Sequence, residues 1–224
     1  MGPTTGEDDG IYPETGVIPR FCRELLERCQ RVEEETEGGS VREGFNGKKR
    51  AITSTVEVSY LEVYNEKIHD LLVAGTQCVP LKVREHPIYG PYVVDLSKHT
   101  VNSFKEMQHW LNEGNKKRAT AATELNDKSS RSHSLFIIVL TQTEESDGTW
   151  THEQTRTSSI NLVDLAGSER IAHYSISNDR LREGVSINRS LLTLGKVITC
   201  LVEKRNFVPY RDSVLTRLLK VRPF

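Results

Sequence analysis

The chain has 224 residues, 36% of them hydrophobic and 27% charged, and carries a formal net charge of −1. That length buries one good core as a single domain, or less economically two small ones, and the charge suits a soluble globular protein with sizeable polar loops. No apolar run approaches the ~20 residues of a membrane span, and the first residues carry acids, so neither a membrane segment nor a secretory signal is expected. Cys22, Cys29, Cys78 and Cys200 form no C-x-x-C pair, which points to an intracellular, reduced protein. The near-zero net charge hides a polarity. Residues 1–40 hold ten Asp/Glu against four Arg (−6), and residues 180–224 hold ten Lys/Arg against three Asp/Glu (+7). A basic C-terminal part suits an acidic partner surface, although a solvated helix face explains the charge equally well.

Residues 1–16 read as loop. Pro19 suits the first position of a helix, and Ile18, Cys22, Leu25, Cys29 and Val32 follow at helical spacing, which sends both cysteines toward the core. Residues 33–50 read as a charged loop. They hold no phosphate loop, because Gly47-Lys48 is followed by Lys49 and Arg42 stands where the first glycine belongs. Thr55–Tyr64 alternates as a half-buried strand, and Asn65–Leu72 reads as a short helical turn. Leu81–Arg84 and Tyr92–Val94 read as short strands around a turn at His86–Pro91. Ser103 and Glu106 form a capping-box pair that opens a helix burying Phe104, Met107, Trp110 and Leu111 and ending near Gly114. His86, His99 and His109 lack metal-ligand spacing and read as structural or surface residues.

Leu135–Leu140 is a continuous apolar run, as expected of a strand covered on both faces. Thr143–Thr155 reads as a hairpin loop into a second strand, Ser159–Leu165, placed beside the first at the sheet centre. After a polar loop, His173–Gly184, a helix capped by Ser186 carries Ile187, Leu191, Leu194, Ile198 and Leu201 on one stripe, with Arg189, Lys196 and Glu203 opposite. Pro209 ends that pattern, and Asp212 or Ser213 caps a last helix, Val214–Lys220.

Two stretches carry chemistry. Asp164 stands at the C-terminal end of an apolar strand, three residues before Gly167, a pattern suited to a Mg²⁺-nucleotide site: the carboxylate holds the metal through water and the glycine N–H meets a terminal phosphate. Alone, Asp-x-x-Gly is also an ordinary strand followed by a turn. Before the neighbouring strand stands Asn126-Asp127-Lys128-Ser129-Ser130-Arg131-Ser132-His133. Its paired hydroxyls can complete a metal shell and orient an attacking water.

With both stretches in order, the chain resembles a kinesin motor domain. Asn126-x-x-Ser129-Ser130-Arg131-Ser132-His133 is similar to the first switch of that family, and Asp164-Leu165-Ala166-Gly167-Ser168-Glu169 to the second. Tyr60–Glu66, Gly184-x-x-Ile187-Asn188-x-Ser190-Leu191 and Val208–Ser213 extend the resemblance. Ile18–Phe21, Val83–Pro87 and Asn115-Lys116-x-Arg118 resemble the third, cargo-carrying class. The resemblance implies an α/β fold of P-loop NTPase type, a central, largely parallel or mixed sheet flanked by helices on both faces. It also implies ATP hydrolysis with Mg²⁺, coupled to movement along microtubules in the cytoplasm and cytoskeleton, with no nucleic-acid or membrane contact. Carried over by position, Asp164 and Ser130 would hold the metal, and Gly167 and Asn126 would attend the phosphate. Ser129 would place the lytic water, and Arg131 would latch onto Glu169, which relays its proton. Arg182, Arg189, Lys204, Arg205, Arg211 and Arg217 would face the acidic microtubule.

The family's phosphate loop, Gly-x-x-x-x-Gly-Lys-Ser/Thr, is absent from these 224 residues, and Gly195-Lys196 lies inside a helix before Val197. The expectation is therefore a partial motor domain over residues 1–220, with an unmatched tail at 221–224 and an incomplete sheet. Alone, it is expected to hydrolyse little or no ATP. The rivals are a non-catalytic module that binds microtubules or a motor partner and, remotely, another P-loop switch such as a GTPase, for which no guanine-selecting motif is present.

Overall fold

The computed structural model describes residues 16–37, 51–75, 79–88, 90–123, 128–145, 154–168 and 178–220. Helix α1, Val17–Glu37, carries Pro19 in its first turn, where the missing N–H leaves no bond unmade. It buries Cys22, Leu26 and Cys29, so both cysteines are core residues as their spacing implied. Burial pushes the Cys22 thiol up to about 12 and raises Cys29 as well. The helix continues into the stretch expected to be loop, and the rest of that loop, residues 38–50, lies outside the described residues.

Strand β1, Ala51–Tyr64, buries Val56, Val58 and Tyr60 as the alternation requires, and also Leu61, Glu62 and Val63. The expected helical turn after it is instead a hairpin into β2, Lys67–Asp70. Asn65 and Glu66 have φ of 49° and 58°, the left-handed pair of a two-residue β-turn, which sets Val63 opposite Ile68 and Tyr64 opposite Lys67. Strands β3, Val83–His86, and β4, Gly90–Val93, form a separate antiparallel hairpin, and Leu81 bridges to Ile68.

A short strand β5, His99–Val101, also pairs with β1. Helix α2, Phe104–Thr123, is opened by the expected cap: Ser103 Oγ accepts from the Glu106 N–H at 3.2 Å, and the Glu106 carboxylate accepts from the Asn102 N–H at 2.8 Å. The helix passes Gly114 instead of ending there. A Cβ at Gly114 would stand 2.1 Å from the Tyr60 ring, so the glycine serves close packing of helix on strand. His99 stacks on Trp110 at 3.6 Å, and His86 accepts from the Ile88 N–H; both are structural.

Strands β6, His133–Glu145, and β7, Gln154–Asp164, complete a five-stranded sheet ordered β2-β1-β6-β7. The architecture is α/β, as expected. The position of β7 is not: among the described strands it ends the order instead of lying at the centre, and it is exposed through Ser159. Helix α3, Asn178–Val202, starts inside the expected polar loop, so Ser186 is interior and does not cap it. Among its described side chains the buried ones are Ser190, Thr193 and Val197, whereas Leu191 and Leu194 are half-buried and Ile198 and Leu201 exposed. The helical period is as expected, and the buried stripe lies one residue earlier. A 3-10 turn, Tyr210–Asp212, leads to the short helix α4, Val214–Leu218, capped by Ser213.

The chain divides into two compact units. In the first, residues 1–56, 101–108 and 140–158, Arg23 lies over the Phe104 ring at 4.7 Å and Glu33 accepts from the Ser54 N–H at 2.6 Å. The second, residues 57–100, 109–139 and 159–224, holds the core of Leu61, Val63, Ile68, Leu135 and Leu215 and the candidate site.

Candidate functional site

The site begins where β7 runs out. Asp164, its last residue, presents an exposed carboxylate whose Oδ2 accepts from Arg118 Nη1 at 2.7 Å. Arg118 rises from α2 and also donates to Ser134 Oγ at 3.1 Å and to the Ser132 carbonyl at 3.3 Å. One largely buried guanidinium thus ties the end of β7 to the start of β6. An arginine suits this because its fork reaches several acceptors with fixed geometry.

The loop after Asp164 is fastened to the segment before β6 by two further bonds. The Gly167 N–H donates to the Ser130 carbonyl at 2.8 Å, and the Ala166 N–H donates to His133 Nδ1 at 3.0 Å. On the far edge of its ring, His133 Nε2 lies 2.7 Å from Ser190 Oγ of α3. An Nδ1 that accepts from an amide carries no proton, so the ring is the Nε2–H tautomer and donates to Ser190. Burial, with Arg118 nearby, lowers the imidazole to about 4, and Asp164 offsets only part of that. It is neutral at physiological pH.

Not every expected site residue falls in the described part of the chain. Asn126 and Glu169 lie outside the described residues, and the expected Arg131–Glu169 latch with them. Ser129 and Ser130 sit in a 3-10 turn, Lys128–Arg131; the Ser129 side chain is outside the described part, while Ser130 and Arg131 are half-buried. Gly167 meets Ser130 through the backbone, and Asp164 meets Arg118. The Gly167 N–H donates to the Ser130 carbonyl in this conformation. Arg118 and His133 stand within the motifs but are not among the expected site residues. A buried histidine beside a run of hydroxyls was the available signal.

The basic residues are spread over the C-terminal elements. Arg189 is exposed on α3 and Lys204 follows its end, but the Arg182 side chain lies outside the described part. Arg205 pairs with Glu203. Arg211 pairs with Glu85 of β3 at 3.0 Å, Lys220 joins the same carboxylate at 2.8 Å, and Arg217 reaches the Val83 carbonyl. The Lys220 and Arg211 hydrogen bonds hold the Glu85 carboxyl below its ordinary range.

Among the described residues no group of three His, Cys, Asp or Glu could enclose a metal. A Mg²⁺ carried in on phosphate needs fewer protein ligands. The Asp164 carboxylate is exposed and could serve as such a ligand on leaving its Arg118 partner.

The kinesin motor domain family model matches residues 5–222. Human kinesin-like protein KIF14 is 51% identical over 221 residues, covering 94% of this chain. Kinesin-related protein 1 of Dictyostelium discoideum is 47% identical over 217 residues, again covering 94%. The chain spans only 12% and 9% of those two relatives. Among solved structures, a KIF14 motor fragment with ADP in complex with a microtubule superposes with a TM-score of 0.75 at 49% identity, covering 94% of this chain and 56% of that one. A fast kinesin superposes with a TM-score of 0.73 at 38% identity, covering 96% of this chain and 54% of that one. Matched by the family model over nearly its whole length, the chain belongs to the kinesin motor domain family.

Proposed function

We propose that residues 1–220 are the switch-bearing and microtubule-facing part of a kinesin motor, working on the microtubule cytoskeleton in the cytoplasm. The observation that carries this reading is the joining of the two switch stretches, Gly167 N–H to the Ser130 carbonyl and Asp164 to Arg118. A nucleotide sensor needs two loops that hold each other in one state and part in another. Kinesin motor domains are microtubule-stimulated ATPases, and bound Mg²⁺-ATP supplies the phosphoryl group that is transferred to water.

The chain's own residues would then act as follows. Asp164 and Ser130 hold the metal edge. Gly167 turns its N–H to a phosphate oxygen once the Ser130 carbonyl lets go, with Asn126 alongside. Ser129 places the water, and Arg131 closes on Glu169, which carries the proton away. On the far side, Arg182, Arg189, Lys204, Arg205, Arg211 and Arg217 meet acidic tubulin. Such exposed charges act within about 8–10 Å at physiological salt, so the binding is salt-sensitive.

The 224 residues contain no Gly-x-x-x-x-Gly-Lys-Ser/Thr cradle for the phosphates. That favours, for this chain by itself, microtubule binding with little or no ATP turnover. The test is co-sedimentation with microtubules across a salt series, together with phosphate release. Pelleting that weakens with salt and no stimulated release is expected. Failure to pellet at low salt would sink the reading, and stimulated turnover would sink its non-catalytic part.

A further inference from the structure

We propose that His133 is a positioning residue that couples the Asp164–Gly167 loop to helix α3. The proposal rests on the functional reading above only in naming the two ends as nucleotide-sensing and microtubule-facing; the connection itself is built from this chain's contacts. A neutral imidazole is a rigid plate with an acceptor on one edge and a donor on the other. His133 uses both, taking the Ala166 N–H at 3.0 Å and meeting Ser190 Oγ at 2.7 Å. Ala166, His133 and Ser190 are 5%, 2% and 2% exposed, so water is poorly placed to replace either bond, and breaking one leaves a buried polar group unmatched.

The neighbouring amide, Gly167, is held by Ser130, three residues before His133. A shift of the loop therefore pulls on a short segment that also grips α3. Helix α3 packs in turn against the 3-10 turn at Lys128–Arg131, against the turn at Tyr210–Asp212 and against α4. A displacement passed to Ser190 thus reaches the elements that carry Arg189 and Arg211. A long flexible side chain would absorb such a displacement by changing rotamer. A planar ring pinned at both edges passes it on.

Hydrogen–deuterium exchange on the whole chain, with and without microtubules, tests this. His133→Asn keeps an acceptor near the Nδ1 position for Ala166 and removes the reach to Ser190. Ser190→Ala removes the same bond from the helix side, and serves if the first variant folds poorly. In the wild type, microtubule binding is expected to change exchange of the Ala166 and Gly167 amides by about fivefold or more, the low end of ordinary coupling between sites. In both variants pelleting should persist while that response disappears. An unchanged response in the variants, or none in the wild type, overturns the proposal. If the wild type does not pellet, the functional reading fails, and the coupling is read instead with Asp164→Asn, which weakens the Arg118 pair. Exchange of the α3 amides around Ser190 should then respond in the wild-type background and not beside Ser190→Ala. Equal responses in the two backgrounds overturn the coupling.

Discussion

Strands β6 and β7 are neighbours in one sheet, yet one is interior and the other is mostly in solvent. Along β6, Ser134, Leu135, Phe136 and Ile138 are all buried. Along β7, every residue from Gln154 to Ser159 is exposed, and Ile160, Leu162 and Val163 are only half-buried. The cause is position: β6 has β1 on one side and β7 on the other, while β7 ends the described order. The two switch stretches divide along the same line. Ser130–His133 enters the anchored strand, and Asp164–Gly167 leaves the exposed one. One stretch is therefore set on a well-packed strand and the other on a solvent-exposed one.

The most direct way to break the comparison is to cut the same kind of contact on both strands. Phe136 meets the Tyr60 ring edge-on, with centroids 5.4 Å apart, and Tyr60 in turn closes over Gly114. Phe136→Ala is expected to cost about 3–5 kcal/mol, transfer and cavity together. Leu162→Ala on half-buried β7 should cost about 1 kcal/mol, since much of its side chain already meets water. Urea denaturation of both variants measures the difference. Similar losses would mean that β7 is as firmly held as β6.

A middle-sized effect comes from acid. His133 is buried neutral and lowered to about 4, against an ordinary value of 6.5. Because its folded value is the lower one, the unfolded chain takes up the proton first. The stability it contributes is complete above pH 6.5 and is lost as pH falls toward about 4. The groups facing it, Arg118 and Asp164, oppose each other in this shift. The expected loss is on the order of 2 kcal/mol after allowing for partial screening. Comparing the pH dependence of unfolding in the wild type and His133→Asn isolates it. Parallel curves would show that the ring is not the titrating group.

Much of this division was readable beforehand, and the failures have physical causes. The apolar run Leu135–Leu140 implied a strand covered on both faces, and β6 is one. Ser159–Leu165 looked equally central, but an apolar run does not report whether a neighbouring strand lies beyond it. The hairpin at Asn65-Glu66 was hidden because its second residue is glutamate where glycine is usual, so the left-handed pair carries no obvious mark. On α3 the buried face is Ser190, Thr193 and Val197. Small side chains there allow close packing, which a search for leucines misses. The motif strings located Asp164, Ser130 and Gly167 without any structure. They could not show that the Gly167 N–H is held by a carbonyl, or that Arg118 and His133 join the two loops, because those facts depend on which backbones meet.

The smallest predicted effect asks whether the anchored side of the second unit also restrains the basic surface. Glu85 of β3 pairs with both Arg211 and Lys220, so two of the cations counted in the +7 segment share a counter-charge on the β3–β4 hairpin. Glu85→Gln removes the charge and keeps the shape. Exposed ion pairs add little to stability, so the unfolding midpoint should scarcely move at neutral pH. Microtubule affinity at low salt should rise by about twofold as Arg211 and Lys220 lose their counter-charge, and the gain should vanish at high salt, where such charges are screened. The same release occurs in the wild type on acidification. The Glu85 pairs hold above its ordinary value of 4.5 and are lost only as pH falls through its lowered one, so a pH series near neutrality should leave them intact. Co-sedimentation of Glu85→Gln beside the wild type, at two salt concentrations, decides the matter. A drop in affinity would mean that Glu85 orients Arg211 toward the partner instead of holding it back.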